Sequence, residues 1–250
     1  MQSVIIGYGE IGKAVGDFFD IPDFIDLNQS RRSQMHYDYM HVAIPWSKTF
    51  VQDVSQYIYE IEPQLTIVHS TIPLGTTRKL MGPKVHFPVR GRHTNLAKGI
   101  KDYEAFIGYN SIYEKRIMEE YLDGLGMEVT YCKGYECTEG AKLLSLLQYG
   151  MNIEFARYAK EICDRWNISY TQSVKLYTES YNDGILEDNP QLVKTILDPP
   201  SGEIGGHCVL PAIKILNEND PSKILKSILE RNDEERNTKN MGAMQHLQNS

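Results

Sequence analysis

Positive charge is in short supply in this 250-residue chain: 26 Lys and Arg stand against 33 Asp and Glu, a formal net charge of −7. A general nucleic-acid surface needs a basic stripe, and none is present. No apolar run approaches the roughly 18 residues of a membrane span. Cysteine is also scarce. Cys132, Cys137, Cys163 and Cys208 form no C-x-x-C pair, which argues against a disulfide framework or a zinc site and fits a reducing cytoplasm. None of the seven histidines falls at a ligand spacing beside a cysteine or a carboxylate pair, so no metal centre is expected. The N-terminus enters a strand-like run at once, so no signal peptide is expected. There is no internal repeat.

What is present begins at Ser3. Val4-Ile5-Ile6 reads as a buried strand, and Gly7-Tyr8-Gly9-Glu10-Ile11-Gly12 follows as G-x-G-x-x-G. Ile11, Ala14, Val15 and Phe18 then recur at helical spacing. Strand, glycine turn and helix in that order make a dinucleotide cradle. Gly7 allows the tight turn, Gly9 lets a pyrophosphate approach the backbone, and Gly12 lets helix and strand pack closely. The free N–H groups and positive dipole end of the helix would hold the phosphates. An acid about 20 residues on should meet the ribose 2′-OH, and Asp26 ends the next strand-like run, Asp23–Leu27. Asp26 favours NAD. Arg31 and Arg32 would suit a 2′-phosphate, so NADP is the alternative.

Strand-like and helix-like segments alternate through the first half. Strands are expected at 39–45, 65–69, 84–88, 105–108 and 127–132, with helices at 50–61 and 111–122. The alternation predicts an α/β fold with a doubly wound parallel sheet of Rossmann type over residues 1–133. Ligands of such sheets lie beyond the carboxyl ends of the strands. The loops after Ile6, Ile44, His69 and Phe87 should share that rim, which brings Pro45 and Ser70 to the cofactor.

From Thr138 to about Trp166 no strand interrupts a helical stretch, with Thr138 as its expected N-cap. Leu143, Leu144, Leu147, Met151, Phe155, Tyr158 and Ile162 line one side of it. This long helix should join the first domain to an all-helical one over 134–250 and pair with its copy in a homodimer. Further helices are expected at 171–181, 191–197, 211–217 and 221–230, then a frayed or tail-like end from Arg231. Prolines and glycines from Pro199 to Pro211 frame a tight loop with Cys208 just before a helix. A helix start favours the thiolate and so makes a better nucleophile. A buried structural cysteine is the other reading.

Four stretches together resemble the nucleotide-sugar 6-dehydrogenases, the group of UDP-glucose, UDP-N-acetylmannosamine and GDP-mannose dehydrogenases. They are the N-terminal G-x-G-x-x-G; Ser70-Thr71-Ile72-Pro73-Leu74-Gly75-Thr76-Thr77, similar to S-T-V-P-x-G-T-T; Glu139-Gly140-Ala141-Lys142-Leu143-Leu144, similar to E-L-A-K-L-L; and Gly205-Gly206-His207-Cys208, similar to G-G-H-C. The likeness covers about residues 1–230. It implies that Cys208 is the nucleophile that takes up an aldehyde formed by a first hydride transfer, before a second transfer and hydrolysis. It implies that Lys142 stabilises substrate oxyanions and that Thr71 helps hold a water. His207 is read as a loop residue ordering the cysteine turn, beside Gly206.

The departures are as informative. The family's asparagine after its lysine is Leu146 here, its aspartate after the cysteine is Ala212, and its glutamate after the fifth strand is Val89. Those acids serve proton transfer and water activation. Arg90, Arg92 and His93 lie in the same loop as Val89 and would either stand in or bind a substrate phosphate or carboxylate. The family's third, nucleotide-gripping domain is expected to lie outside this chain. Three readings stay open: a diverged NAD-dependent enzyme oxidising a hydroxyl of a sugar or sugar-nucleotide-like small molecule; a two-electron dehydrogenase of the 3-hydroxyacid or 6-phosphogluconate type; and a non-catalytic NAD-binding protein.

Overall fold

The computed structural model describes residues 2–91 and 95–248, with side chains through residue 237. The chain divides into two compact units, Met1–Leu143 and Leu144–Ser250.

The first unit is an eight-stranded sheet with helices. Strands β1 (Ser3–Ile6), β2 (Phe24–Ile25), β3 (Ser30–Arg31), β4 (Tyr39–Val42), β5 (Leu65–Val68), β6 (Lys84–His86), β7 (Ala105–Tyr109) and β8 (Val129–Lys133) lie in the order 3-2-1-4-5-6-7-8. Helices α1 (Glu10–Phe19), α2 (Phe50–Ile61), α3 (Leu96–Asp102) and α4 (Ile112–Leu122) lie between them in sequence. The sheet is mostly parallel, not wholly so as the alternation suggested. β2–β3 and β6–β7 are antiparallel, while β7–β8 is again parallel. β3 is two residues long and exposed, too short to leave a periodic signal.

The central strands are apolar on both faces. Ile5, Leu65, Ile67, Val85 and Ile107 belong to one buried cluster, and Val4, Ile6, Met40, Val42 and Val68 to the other. Burial on both faces is what a sheet covered by helices requires. β1, β4, β5 and β6 are parallel and aligned, with Ile6 opposite Val42, Val42 opposite Val68, and Val68 opposite His86. Their following loops therefore emerge along one edge.

Helix α5 (Tyr135–Arg165) follows β8, and the division between units falls inside it. It begins three residues before the expected cap. Gly134, at φ +102°, turns the chain straight from β8 into helix, so Thr138 lies buried in the first turn with its hydroxyl on His86. The apolar stripe splits as well. Leu143 is buried, whereas Leu144, Met151, Phe155 and Tyr158 stay exposed. Apart from Arg157, the buried positions of α5 in the second unit are small: Gly150, Ala156, Ala159 and Cys163.

The second unit also contains a π-helical turn at Thr171–Leu176, α6 (Tyr177–Ile185), α7 (Val209–Asn219) and α8 (Lys223–Gln248). The helix expected at 191–197 is only a 3₁₀ turn, Pro190–Leu192. The Asn182 amide explains this by taking both backbone groups of Lys194, its N–H at 2.9 Å and its carbonyl at 2.8 Å. α8 continues well past Glu230, where a frayed end was expected. Ile204, Val209, Leu210, Ile213, Leu225 and Ile228 form this unit's core. Among the described residues no helix is long and apolar enough to cross a membrane.

Candidate functional site

The glycine turn has the geometry of an open cradle. Gly7 sits at φ +91°, and a Cβ there would lie 2.7 Å from Ile44 Cγ2 and 2.9 Å from the Ala43 carbonyl oxygen. At Gly12 a Cβ would lie 1.9 Å from the Gly7 carbonyl oxygen. The turn can close on the neighbouring loop only because both residues lack side chains. Gly9 differs: nothing stands within 4 Å of where its Cβ would be. It is the N-cap of α1 and supplies no side chain to the first-turn N–H groups. Glu10 and Ile11 form that turn, Glu10 exposed and Ile11 packed toward the core. A pyrophosphate needs bare backbone donors with room above them, and the residues present fit one.

Asp26 leaves β2 beside this turn. Its Oδ2 accepts the Tyr8 N–H at 2.5 Å and its Oδ1 accepts the Leu27 N–H at 2.7 Å. The Tyr8 ring stacks on Phe24 with centroids 3.9 Å apart. The carboxylate is thus fixed where β2 ends. Arg32 is engaged locally: its guanidinium donates to the carbonyls of Gln34 and Met35. Arg31 is exposed in β3.

The other rim loops are tied together by side chains. Ser70 Oγ donates to the Ile44 carbonyl at 2.6 Å, next to exposed Pro45, and the Ser70 carbonyl accepts from His86 Nε2 at 3.2 Å. Thr71 follows, half-buried. Lys142 reaches the same edge from α5, where its Nζ donates to the Val89 carbonyl at 2.8 Å. Glu139, one turn earlier, accepts the N–H of Gly75 at 2.5 Å and of Thr77 at 2.8 Å. Burial pushes this carboxyl above its ordinary range, against the pull of those donors. The motif resemblance by itself gives Glu139 no task of its own. The signal was there: an acid one turn ahead of the lysine, on the buried side of a helix.

Beneath the rim run three wholly buried histidines, which the sequence alone marks only as strand residues. His69 Nδ1 lies 2.7 Å from the Phe87 carbonyl, so that nitrogen carries the proton. His69 Nε2 must then accept from His41 Nδ1 at 2.9 Å, and His41 Nε2 from the Tyr121 hydroxyl at 2.8 Å. The chain of bonds has one direction and needs every ring neutral. Burial holds them so: His41 is lowered well below its ordinary value, His69 to about 4 and His86 to about 3.

Arg90 lies outside this arrangement. Its guanidinium sits over Phe106 and Tyr103, 5.4 and 5.7 Å from the ring centroids, and donates to the Glu104 carbonyl. Arg92 and His93 lie outside the described residues. In the second unit, Cys208 is the N-cap of α7 and half-buried, in no disulfide. Gly206 precedes it at φ +85°, and His207 is exposed.

No family model matches the sequence. A UDP-N-acetyl-D-mannosamine dehydrogenase from Methanococcus maripaludis is 25% identical over 209 residues, which is 72% of this chain and 45% of that protein. A solved structure of UDP-D-ManNAc dehydrogenase from Pyrococcus horikoshii matches with a TM-score of 0.76 at 16% identity, over 94% of this chain and 69% of that one. In sequence and in fold the chain is similar to the nucleotide-sugar dehydrogenases. It spans less than half the length of the curated relatives it matches. The 3-hydroxyisobutyrate dehydrogenase of Mycobacterium tuberculosis shares the fold, with a TM-score of 0.65 at 12% identity over 95% of this chain and 94% of that one.

For a nucleotide-sugar dehydrogenase relative, three positions stand out. Val89 is 3% exposed and offers only its carbonyl to the rim. Leu146 packs against the core of the second unit, and Ala212 is fully buried in α7. Each is an apolar side chain at a position where the motif comparison expects a polar one.

Proposed function

We propose that this chain is an NAD-dependent oxidoreductase that oxidises a hydroxyl of a sugar or sugar-nucleotide-like substrate. The cradle of Gly7, Tyr8, Gly9, Glu10, Ile11 and Gly12, with Asp26, Pro45 and Ser70, would hold the cofactor. When bound, NAD supplies a hydride acceptor. Asp26 at the end of β2 and the local engagement of Arg32 support NAD over NADP.

The observation that carries the reading is Lys142 anchored through Val89 on the sheet edge where the cradle opens. As a fixed cation at this edge, the Lys142 ammonium would stabilise the oxyanion that forms as the substrate hydroxyl loses its proton. Thr71, beside Ser70, would hold a water, and Cys208 would add to an aldehyde product.

A second reading stops after two electrons. The apolar side chains of Val89, Leu146 and Ala212 favour it, because none can move a proton to or from an attacking water. NADH formation, measured by absorbance with UDP-N-acetylhexosamines, UDP-hexoses and small hydroxyacids, separates the readings. Two NADH per UDP-sugar, lost in Cys208→Ser, fit the four-electron reading. One NADH per substrate, kept in Cys208→Ser and lost in Lys142→Ala, fits the two-electron one. Tight NAD binding with no turnover on any of these would leave a non-catalytic binder and overturn both. A cytoplasmic homodimer completes the proposal. The exposed Leu144, Met151, Phe155 and Tyr158 support the dimer, which sedimentation of the native chain and of Phe155→Glu would test.

A further inference from the structure

Three consecutive residues ahead of Gly205-Gly206-His207-Cys208 are each fastened to a different side chain of α5 or α8. The Gly202 carbonyl accepts from Arg157 Nη2 at 2.8 Å. Glu203 Oε2 accepts from Arg236 Nε at 2.8 Å. The Ile204 N–H donates to Asn232 Oδ1 at 2.6 Å. Arg157, Asn232 and Ile204 are all buried, at 5%, 2% and 2% exposure. The other end of the segment is also fixed. A Cβ at Gly150 of α5 would lie 2.8 Å from Ile213 and 3.0 Å from Val209, so α7 lies directly on the α5 backbone at its first turn.

This is an unusual concentration of anchors on a segment that would otherwise be loose. Residues 202–206 contain three glycines, and Gly202 and Gly206 have φ of +102° and +85°. Glycine loses the most conformational freedom on ordering, so such a loop is held only by what grips it. With 202–204 gripped and α7 seated on α5, only Gly205, Gly206 and His207 are left between two fixed points. The Cys208 thiol, on the cap residue, inherits that constraint.

We propose that Arg157, Asn232 and Arg236 are positioning residues for Cys208, setting the presentation of its thiol through the backbone of 202–204. The inference rests on the reading of Cys208 as the reactive thiol. The test uses the full chain with Cys132, Cys137 and Cys163 replaced by serine, so that iodoacetamide reports Cys208 alone. Asn232→Leu and Arg236→Ala should each change the alkylation rate at neutral pH at least threefold and shift its pH midpoint. Asn232→Asp, which keeps the acceptor for the Ile204 N–H, should stay within threefold of the parent. Far-UV circular dichroism and a thermal melt establish that each variant is folded. If Asn232→Leu does not fold, Arg236→Ala, whose ion pair is partly exposed, decides alone. Folded variants with rates and midpoints unchanged within threefold would overturn the proposal. Turnover retained in Cys208→Ser would instead overturn the catalytic reading, which the alkylation data do not depend on.

Discussion

The two units bury polar groups differently. The first buries neutral rings, His41, His69 and His86, and carboxyls held by hydroxyl and backbone N–H donors, Asp23, Glu114 and Glu139. The second pairs its buried charges with one another. Arg157, with a side chain only 6% exposed, has Glu154 at 3.5 Å and Glu235 at 3.9 Å, and Arg231 pairs with Glu154 and Glu161. The neutral network is satisfied bond by bond, whereas Glu154 Oε1, Arg157 Nε and Arg231 Nε make no hydrogen bond. A neutral chain of rings fixes a shape but fails once a proton is forced onto it. An ionic cluster tolerates loose geometry, yet losing one member strands a buried charge.

Acid should break this comparison most strongly. The folded pKa values of the three histidines are depressed, to about 4 for His69 and about 3 for His86, while an unfolded histidine titrates near 6.5. Between those limits the unfolded chain binds the extra protons, so stability falls as pH drops below about 6.5. The loss is at most about 1.4 kcal/mol per pH unit for each histidine. Glu154 has the opposite sign. Burial raises its carboxyl, so the folded second unit takes up that proton more readily than the unfolded chain does. Hydrogen exchange across a pH series should show β4, β5 and β6 opening before α5 and α7. Simultaneous opening would remove the distinction.

Arg157→Met comes next. It leaves Glu154 with Arg231 as its remaining cation and frees the Gly202 carbonyl, at an expected cost of about 3 kcal/mol in urea unfolding. Gly12→Ala sharpens the first unit's side: a Cβ 1.9 Å from a carbonyl oxygen forces the backbone apart, for about 3 kcal/mol. Gly9→Ala should change stability by no more than about 1 kcal/mol, because its Cβ meets nothing, yet weaken NAD binding measured by calorimetry. Equal losses in both glycine variants would mean that the cradle is merely a packing device. The smallest effect belongs to Lys160→Ala, an exposed i,i+4 pair with Asp164, expected at about 0.5 kcal/mol or less in thermal melts.

The cradle was legible because its demands are local. Strand, glycines and helix fall within Ser3–Phe19, and Gly7 and Gly12 answer to atoms a few residues away or on the adjacent loop. Lys142 and Cys208 were legible only through motifs, since neither periodicity nor spacing marks a lysine or a thiol as special. Alternation implied one strand direction throughout, but the β6–β7 reversal depends on where α3 returns the chain. The Lys194 helix failed for a similar reason: an amide twelve residues away took its backbone groups.

By itself the sequence determined the strand–turn–helix opening, the long α5 and the acid at the end of β2, because hydrophobic period and glycine sterics act over one or two turns. Only the tertiary structure decided that His41 and His69 would share one proton order, that Glu139 would hold the Gly75–Thr77 loop, and that Gly202–Ile204 would be gripped from two helices. Those bonds join residues 28 to 64 positions apart, and a hydrogen bond of that span exists only once packing has brought donor and acceptor within 3 Å of each other.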